Sequence, residues 1–169
     1  MLFSFSWYWI IILNILFLFL LHMISSYAAT VMPRRFFNPS SWICRERKWE
    51  KKGRIYQKFF KVRSWKDRLP DGAALFKRGF AKKHLLSRDA EYISSFIIET
   101  CRGELAHWSV IILSPLSFVY TWWWGGVIIV LYALSASLPC IIVQRYNRIR
   151  LRMMMDKHFI CSSEDVSMS

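Results

Sequence analysis

The sequence predicts a mainly α-helical, small integral membrane protein with an N-terminal apolar helix, a basic cytoplasmic segment and a C-terminal membrane region of one or two helices. Three observations predict it. Of the 169 residues, 54% are hydrophobic and 17% aromatic, more apolar side chain than a soluble core of this size needs. The formal net charge is nevertheless +13. That charge is segregated, since residues 1–33 and 108–143 hold no Asp, Glu, Lys or Arg. Long uncharged blocks set between basic blocks are the pattern of a membrane protein. The divisions that follow are residues 1–28 as membrane anchor or signal segment, 29–104 as basic interfacial segment, 105–143 as membrane hairpin or long transmembrane region, and 144–169 as basic tail.

Leu2 to Met23 is an uncharged run of 22 residues with Trp7, Tyr8 and Trp9 near its start. It is long enough to cross a hydrocarbon core of roughly 30 Å, and Trp and Tyr favour the interface. Ser26 and Ala28, small residues two apart, also suit a signal-peptide cleavage point. The absence of Lys or Arg ahead of the run, and its length, favour an uncleaved anchor.

Pro33, Arg34 and Arg35 end the apolar run and open the basic segment. Residues 34–104 contain 19 Lys and Arg against 8 Asp and Glu, so +11 of the net charge is here. By the positive-inside tendency this segment is cytoplasmic. Within it Trp42, Trp49, Tyr56 and Phe60 recur at steps of seven, seven and four. On a helix they make one aromatic stripe among Arg45, Arg47, Lys48, Lys51 and Lys52, a face suited to an anionic headgroup plane. Gly53 interrupts the pattern, and Ile55 to Trp65 also reads as a strand. Pro70, Asp71 and Gly72 signal a turn.

His84 and Asp89 stand in an H-x4-D arrangement, in which His takes a hydroxyl proton and Asp orients it, as in glycerolipid acyltransferases. The spacing also arises readily by chance. From Asp89 the pattern turns helical and leads into IIETCRGELAHW, residues 97–108. Here Glu99, Gly103 and His107 fall along one stripe, with Arg102 and Glu104 on its flanks. These ionisable groups lie at the water–lipid boundary if the run beginning at Trp108 enters a bilayer. They are either polar anchors or chemistry.

Trp108 to Val143 is 36 uncharged residues, too long for one comfortable crossing and nearly long enough for two. Ser114-Pro115 and Gly125-Gly126 punctuate it, and Thr121 to Trp124 supplies an aromatic cluster for a hairpin tip. A hairpin keeps both basic blocks on one side, which favours three crossings in all, with a short first arm from Leu105 to Tyr120 that also reads as re-entrant. Gln144, Arg145, Asn147, Arg148 and Arg150 follow the last apolar residue. Forked guanidinium donors with accompanying amides suit phosphates, and they equally suit a positive-inside cap. Cys44, Cys101, Cys140 and Cys161 are scattered, without a CxxC pair, which argues against zinc and against a disulfide framework. Nucleic-acid binding would need a soluble basic face on a known fold motif, and the sequence offers neither.

Taken in order, VRSWKDRLPDG, HLL, IIETCRGELAHW and IIVQRYNRIR resemble the glycosyl-4,4'-diaponeurosporenoate acyltransferase family, membrane enzymes that finish staphyloxanthin-type carotenoids. The likeness runs from about Tyr56 to Leu151. It implies transfer of a fatty acyl group from acyl-CoA or acyl carrier protein, with no cofactor, to the glucose 6-hydroxyl of a glycosylated carotenoid acid. Membrane lipids are expected partners, and action alone or beside other pigment-pathway enzymes stays open. A mechanism consistent with the resemblance and the residues has His107, or His84 oriented by Asp89, as general base. Glu104 or Glu99 would set the tautomer, and Arg102 would offset oxyanion charge. Arg145, Arg148 and Arg150, with Gln144 and Asn147, would hold the donor's phosphates. Direct transfer is favoured over an acyl-enzyme, for which Cys101 is the one loose nucleophile candidate. The rival reading is a non-enzymatic membrane adaptor, which explains the charge segregation equally well.

Overall fold

A computed structural model describes residues 6–37, 44–68 and 90–167, with side chains as far as Asp156. Trp42, the turn at Pro70, Asp71 and Gly72, and both His84 and Asp89 lie outside the described residues. Among the described residues the secondary structure is entirely helical: α1 (Trp7–Val31), α2 (Arg54–Phe60), α3 (Ala90–Leu113) and α4 (Trp123–Ser167), with short 3-10 turns between them.

Helix α1 runs through uncharged sequence and stops at Met32, whose extended backbone (φ −58, ψ 132) is what a residue preceding proline favours. Only Leu21, Ser25 and Ala29 on α1 are buried. They are spaced four apart, so they form one stripe of mostly small side chains that lets α1 lie close against α3. The rest of α1 faces outward, with Ile15 65% and Phe19 60% exposed. Helix α4 does the same, with Ile128 58% exposed. Outer faces this apolar suit lipid rather than water. Helices α1 and α4 are each long and apolar enough to cross a membrane.

The chain reverses between α3 and α4. Ser114-Pro115 ends α3 in a 3-10 helix, Ser114–Val119, and the Ser114 hydroxyl caps the Ile111 carbonyl at 2.9 Å. Trp122, Trp123 and Trp124 are exposed at the reversal, where the tryptophan cluster places a hairpin tip. The tip is tight: a Cβ on Gly126 would fall 2.4 Å from the Phe118 ring, and one on Gly125 2.6 Å from Thr121 Oγ1. The first arm is shorter than a crossing. Its α-helical apolar part, Leu105 to Leu113, rises only about 13 Å before the backbone tightens. The C-terminal region thus contributes one helix of spanning length, α4, with the end of α3 dipping beside it.

Helices α1 and α4 run parallel to each other and antiparallel to α3. At one end Arg102 of α3 donates to the Met32 carbonyl at 2.9 Å. Toward the other, the Phe17 and Tyr120 rings meet edge to face at 5.8 Å. Between the tryptophans at the start of α4 and its first arginine, Arg145, lies about 30 Å of helix. Leu21, Val110 and Ala133 pack together within this apolar layer. All the described charged side chains lie beyond it, on one side.

Over its described residues, 44–60, the aromatic stripe is not a continuous helix, and Ile55 to Trp65 is not a strand. Lys51, Lys52 and Gly53 all have positive φ (47, 55 and 78), which breaks the segment into a 3-10 turn, Lys48–Gly53, followed by α2. Trp49 and Phe60 are exposed, whereas Tyr56 is buried against Val62, Val143, Tyr146 and Ile149. The segment folds back onto α4 and spends Tyr56 on the core, so the four aromatics cannot share one lipid-facing surface.

Candidate functional site

Where the apolar layer ends, four charged side chains meet in the interior. Glu104 sits on the face of α3 shared with Ile93, Ile97 and Thr100, all buried. Glu104 and Glu50 are fully buried and Arg148 is 2% exposed. Arg145 donates Nη1–H to Glu104 Oε1 at 2.7 Å. The same guanidinium grips Glu50 with two donors, Nε–H to Oε1 at 2.9 Å and Nη2–H to Oε2 at 3.2 Å. Arg148 donates Nη2–H to Glu104 Oε2. The Tyr56 hydroxyl and the Arg47 backbone N–H complete the shell of Glu50. The Trp108 indole N–H reaches Glu104 Oε1 at 3.4 Å. Two carboxylates and two guanidiniums make a tetrad with no net charge, which is how buried ions are tolerated.

Burial alone would raise the Glu50 carboxyl, but hydrogen bonds from Arg145, Tyr56 and Arg47, with the Arg145 charge, outweigh it and hold the pKa below the ordinary 4.5. Burial first, and then Glu50 itself, push the Tyr56 phenol upward, so it remains a donor. A folded-state pKa below the unfolded value means that Glu50 stabilises the fold fully above about pH 4.5, and that this stability is lost as pH falls through the lower folded value. Melting of detergent-solubilised protein should therefore show an advantage of the wild type over Glu50→Gln that is constant from neutral pH to about pH 5 and shrinks as the pH falls from about 4.5 toward about 3. An advantage that persists unchanged at the acid end rules out an ionised Glu50 at this position.

A second ion pair lies at the end of α1. Arg102 bonds Glu99 at 2.6 Å, donates to the Met32 carbonyl and stacks its guanidinium 5.1 Å from the Phe37 ring centroid. Next to it Cys44 and Cys101 are buried together with Phe37. The neighbouring Cys44 thiol and burial both push the Cys101 thiol up, which keeps it protonated and is unsuited to a nucleophile.

A family model described as glycosyl-4,4'-diaponeurosporenoate acyltransferase matches residues 33–157. The chain belongs to this acyltransferase family. Curated relatives of that name from Staphylococcus aureus strains bovine RF122 / ET3-1, MRSA252 and USA300 are each 36% identical over 151 residues, covering 89% of this chain and 85% of theirs. No solved structure matches. As a member of the acyltransferase family the chain is an enzyme, which settles the choice against a non-enzymatic adaptor.

In this acyltransferase the residues singled out from sequence separate into groups. Glu104, Arg145 and Arg148 come together, with the guanidiniums turned inward onto carboxylates. Glu99 and Arg102 pair with each other. His107 is half-buried on α3, one turn beyond Glu104, and Gln144 and Asn147 are half-buried on α4. Arg150 is exposed. Glu50 and Tyr56 were not singled out as site residues. The sequence offers only a weak signal for Glu50, an acid within the basic run RKWEKK.

Proposed function

We propose that this enzyme esterifies the glucose 6-hydroxyl of glycosyl-4,4'-diaponeurosporenoate with a fatty acyl group, the last step of a staphyloxanthin-type carotenoid, at the cytoplasmic face of the cell membrane. The observation that carries the reading is the position of the Glu50–Arg145–Glu104–Arg148 tetrad. It fixes α3, α4 and the basic segment to one another at the level where the apolar layer ends. His107 stands at that level, where the sugar of a membrane-borne carotenoid would be held. The excess of Lys and Arg on this side supports a cytoplasmic placement.

In the proposed step His107 accepts the 6-hydroxyl proton while the sugar oxygen attacks the carbonyl carbon of an acyl thioester from coenzyme A or acyl carrier protein. An ester C–O bond forms, the C–S bond breaks, and the proton passes to the departing thiolate. Arg102 is the nearest described cation along α3 for the developing oxyanion, and it would have to loosen its hold on Glu99 to act. The buried Gln144 Oε1, which has no hydrogen-bond partner among the described residues, is available to a sugar hydroxyl. No cofactor enters the step.

The test is an assay in membranes with purified glycosylated carotenoid acid and labelled fatty acyl-CoA or acyl carrier protein. Formation of the acylated glucoside by the full chain is the expected result. Absence of ester with both donors overturns the reading.

A further inference from the structure

Beyond the tetrad, two guanidiniums converge on one phenol. Arg63, in the 3-10 turn Val62–Ser64, donates Nε–H to Tyr146 Oη at 2.9 Å. Arg150 of α4 donates Nη1–H to the same oxygen at 3.2 Å, and its Cζ lies 5.9 Å from the ring centroid. Tyr146 is buried among Tyr56, Val62, Val143 and Ile149, so the phenol is a fixed post. Both arginines are exposed. The turn carrying Arg63 is itself fastened: its backbone N–H donates to Gln57 Oε1 at 3.3 Å, and the Trp65 indole donates to the Phe60 carbonyl at 2.6 Å.

Charge separates this pair from the interior arginines. Arg102, Arg145 and Arg148 each face a carboxylate. Among the described residues Arg63 and Arg150 have none. Two like charges held side by side on a neutral oxygen repel each other. Each guanidinium also spends one N–H on the phenol, out of five donors. An anion with several acceptor oxygens would relieve the repulsion and use the spare donors, and phosphate is the group whose geometry the guanidinium fork fits. Arg145 and Arg148 cannot take this role without opening a buried ion cluster.

We propose that Arg63 and Arg150, braced on Tyr146, form a clamp for a phosphate ester at the edge of the apolar layer. Its source is the pantetheine phosphate of an acyl donor or the headgroup of an anionic lipid. The donor arm rests on the acyl-transfer reading above, whereas the phosphate site does not.

The full chain in phosphatidylcholine nanodiscs is titrated with coenzyme A. In parallel, retention of phosphatidylglycerol is read by native mass spectrometry from mixed phosphatidylcholine and phosphatidylglycerol discs. Arg63→Gln and Arg150→Gln are each expected to weaken one of these on the order of tenfold. Arg63→Lys should recover part of the loss, and the exposed Arg34→Gln should leave both readings unchanged. Loss of coenzyme A binding assigns the clamp to the donor, and loss of phosphatidylglycerol assigns it to lipid. The clamp is overturned if the wild type binds neither, or if both readings are the same in wild type and both Gln variants of unchanged melting temperature. Binding is measured without turnover, so failure of acyl transfer with phosphate binding intact counts against the proposed reaction alone.

Discussion

Glu104→Ala is expected to destabilise the protein by about 3–5 kcal/mol, the range for stranding a buried charge. Glu104 has no exposed surface, and its two oxygens take hydrogen bonds from Arg145, Arg148 and Trp108. Its removal leaves Arg148, 2% exposed, with only the Cys101 sulfur at 3.7 Å as a side-chain acceptor among the described residues. Arg145 keeps its two bonds to Glu50, so the excess of one positive charge falls mainly on Arg148. Removing that cation as well should restore most of the stability, because an apolar pair of similar volume avoids the desolvation that the ion pair must offset. The double variant Glu104→Leu with Arg148→Met should therefore melt well above Glu104→Ala, and a double-mutant cycle should show strong coupling. Denaturation in a mild detergent or in nanodiscs reads both. If Glu104→Ala lies within about 0.5 kcal/mol of wild type, as an ordinary surface change would, the tetrad does not hold the helices together.

The tetrad shows where sequence reading succeeds and where it stops. Glu104 and the arginines of QRYNRIR stand out because each interrupts or borders a long uncharged run, and a charge at the edge of such a run needs a reason. Their partnership was not legible, since it depends on which side of each helix faces inward. Residues 145 and 148 are three apart and share a helical face, and that face turns inward to Glu104 and Glu50. Arg150 falls off that face and stays exposed. The basic segment was misread for a different reason. Helical spacing of Trp49, Tyr56 and Phe60 is a sound signal only if the backbone is continuous. Gly53 marks an interruption in the sequence, but Lys51 and Lys52 before it adopt left-handed conformations that non-glycine residues rarely take, so the size of the break was not legible. Once the chain turns, Tyr56 and Glu50 reach the interior together and the stripe dissolves. The chain reversal was legible because Ser114-Pro115, the tryptophans and the paired glycines have strong positional meaning, whereas the close approach of Gly126 to the Phe118 ring depends on packing.

His107→Ala is expected to lower acyl transfer by about 100-fold or more, the typical loss when a general base is removed, with little change in melting temperature. Glu104 and Glu99 on the same helix are poor candidates for that role. Glu104 is held by two guanidiniums and Glu99 by Arg102, so either would have to leave an ion pair before accepting a proton. An imidazole is the side chain whose ordinary titration range suits accepting and releasing a proton near neutral pH. The effect should appear in kcat more than in KM, because the proton moves only as the ester forms. The rate of the wild type should fall at acid pH as the imidazole protonates, and the residual rate of the variant should lose that acid limb. His107→Gln, which keeps hydrogen-bonding capacity but cannot accept the proton at neutral pH, should be as slow as His107→Ala. Recovery of activity in the Gln variant alone would make His107 a positioning residue for the sugar. Full activity in both would move the base elsewhere, with His84→Ala the next variant to measure.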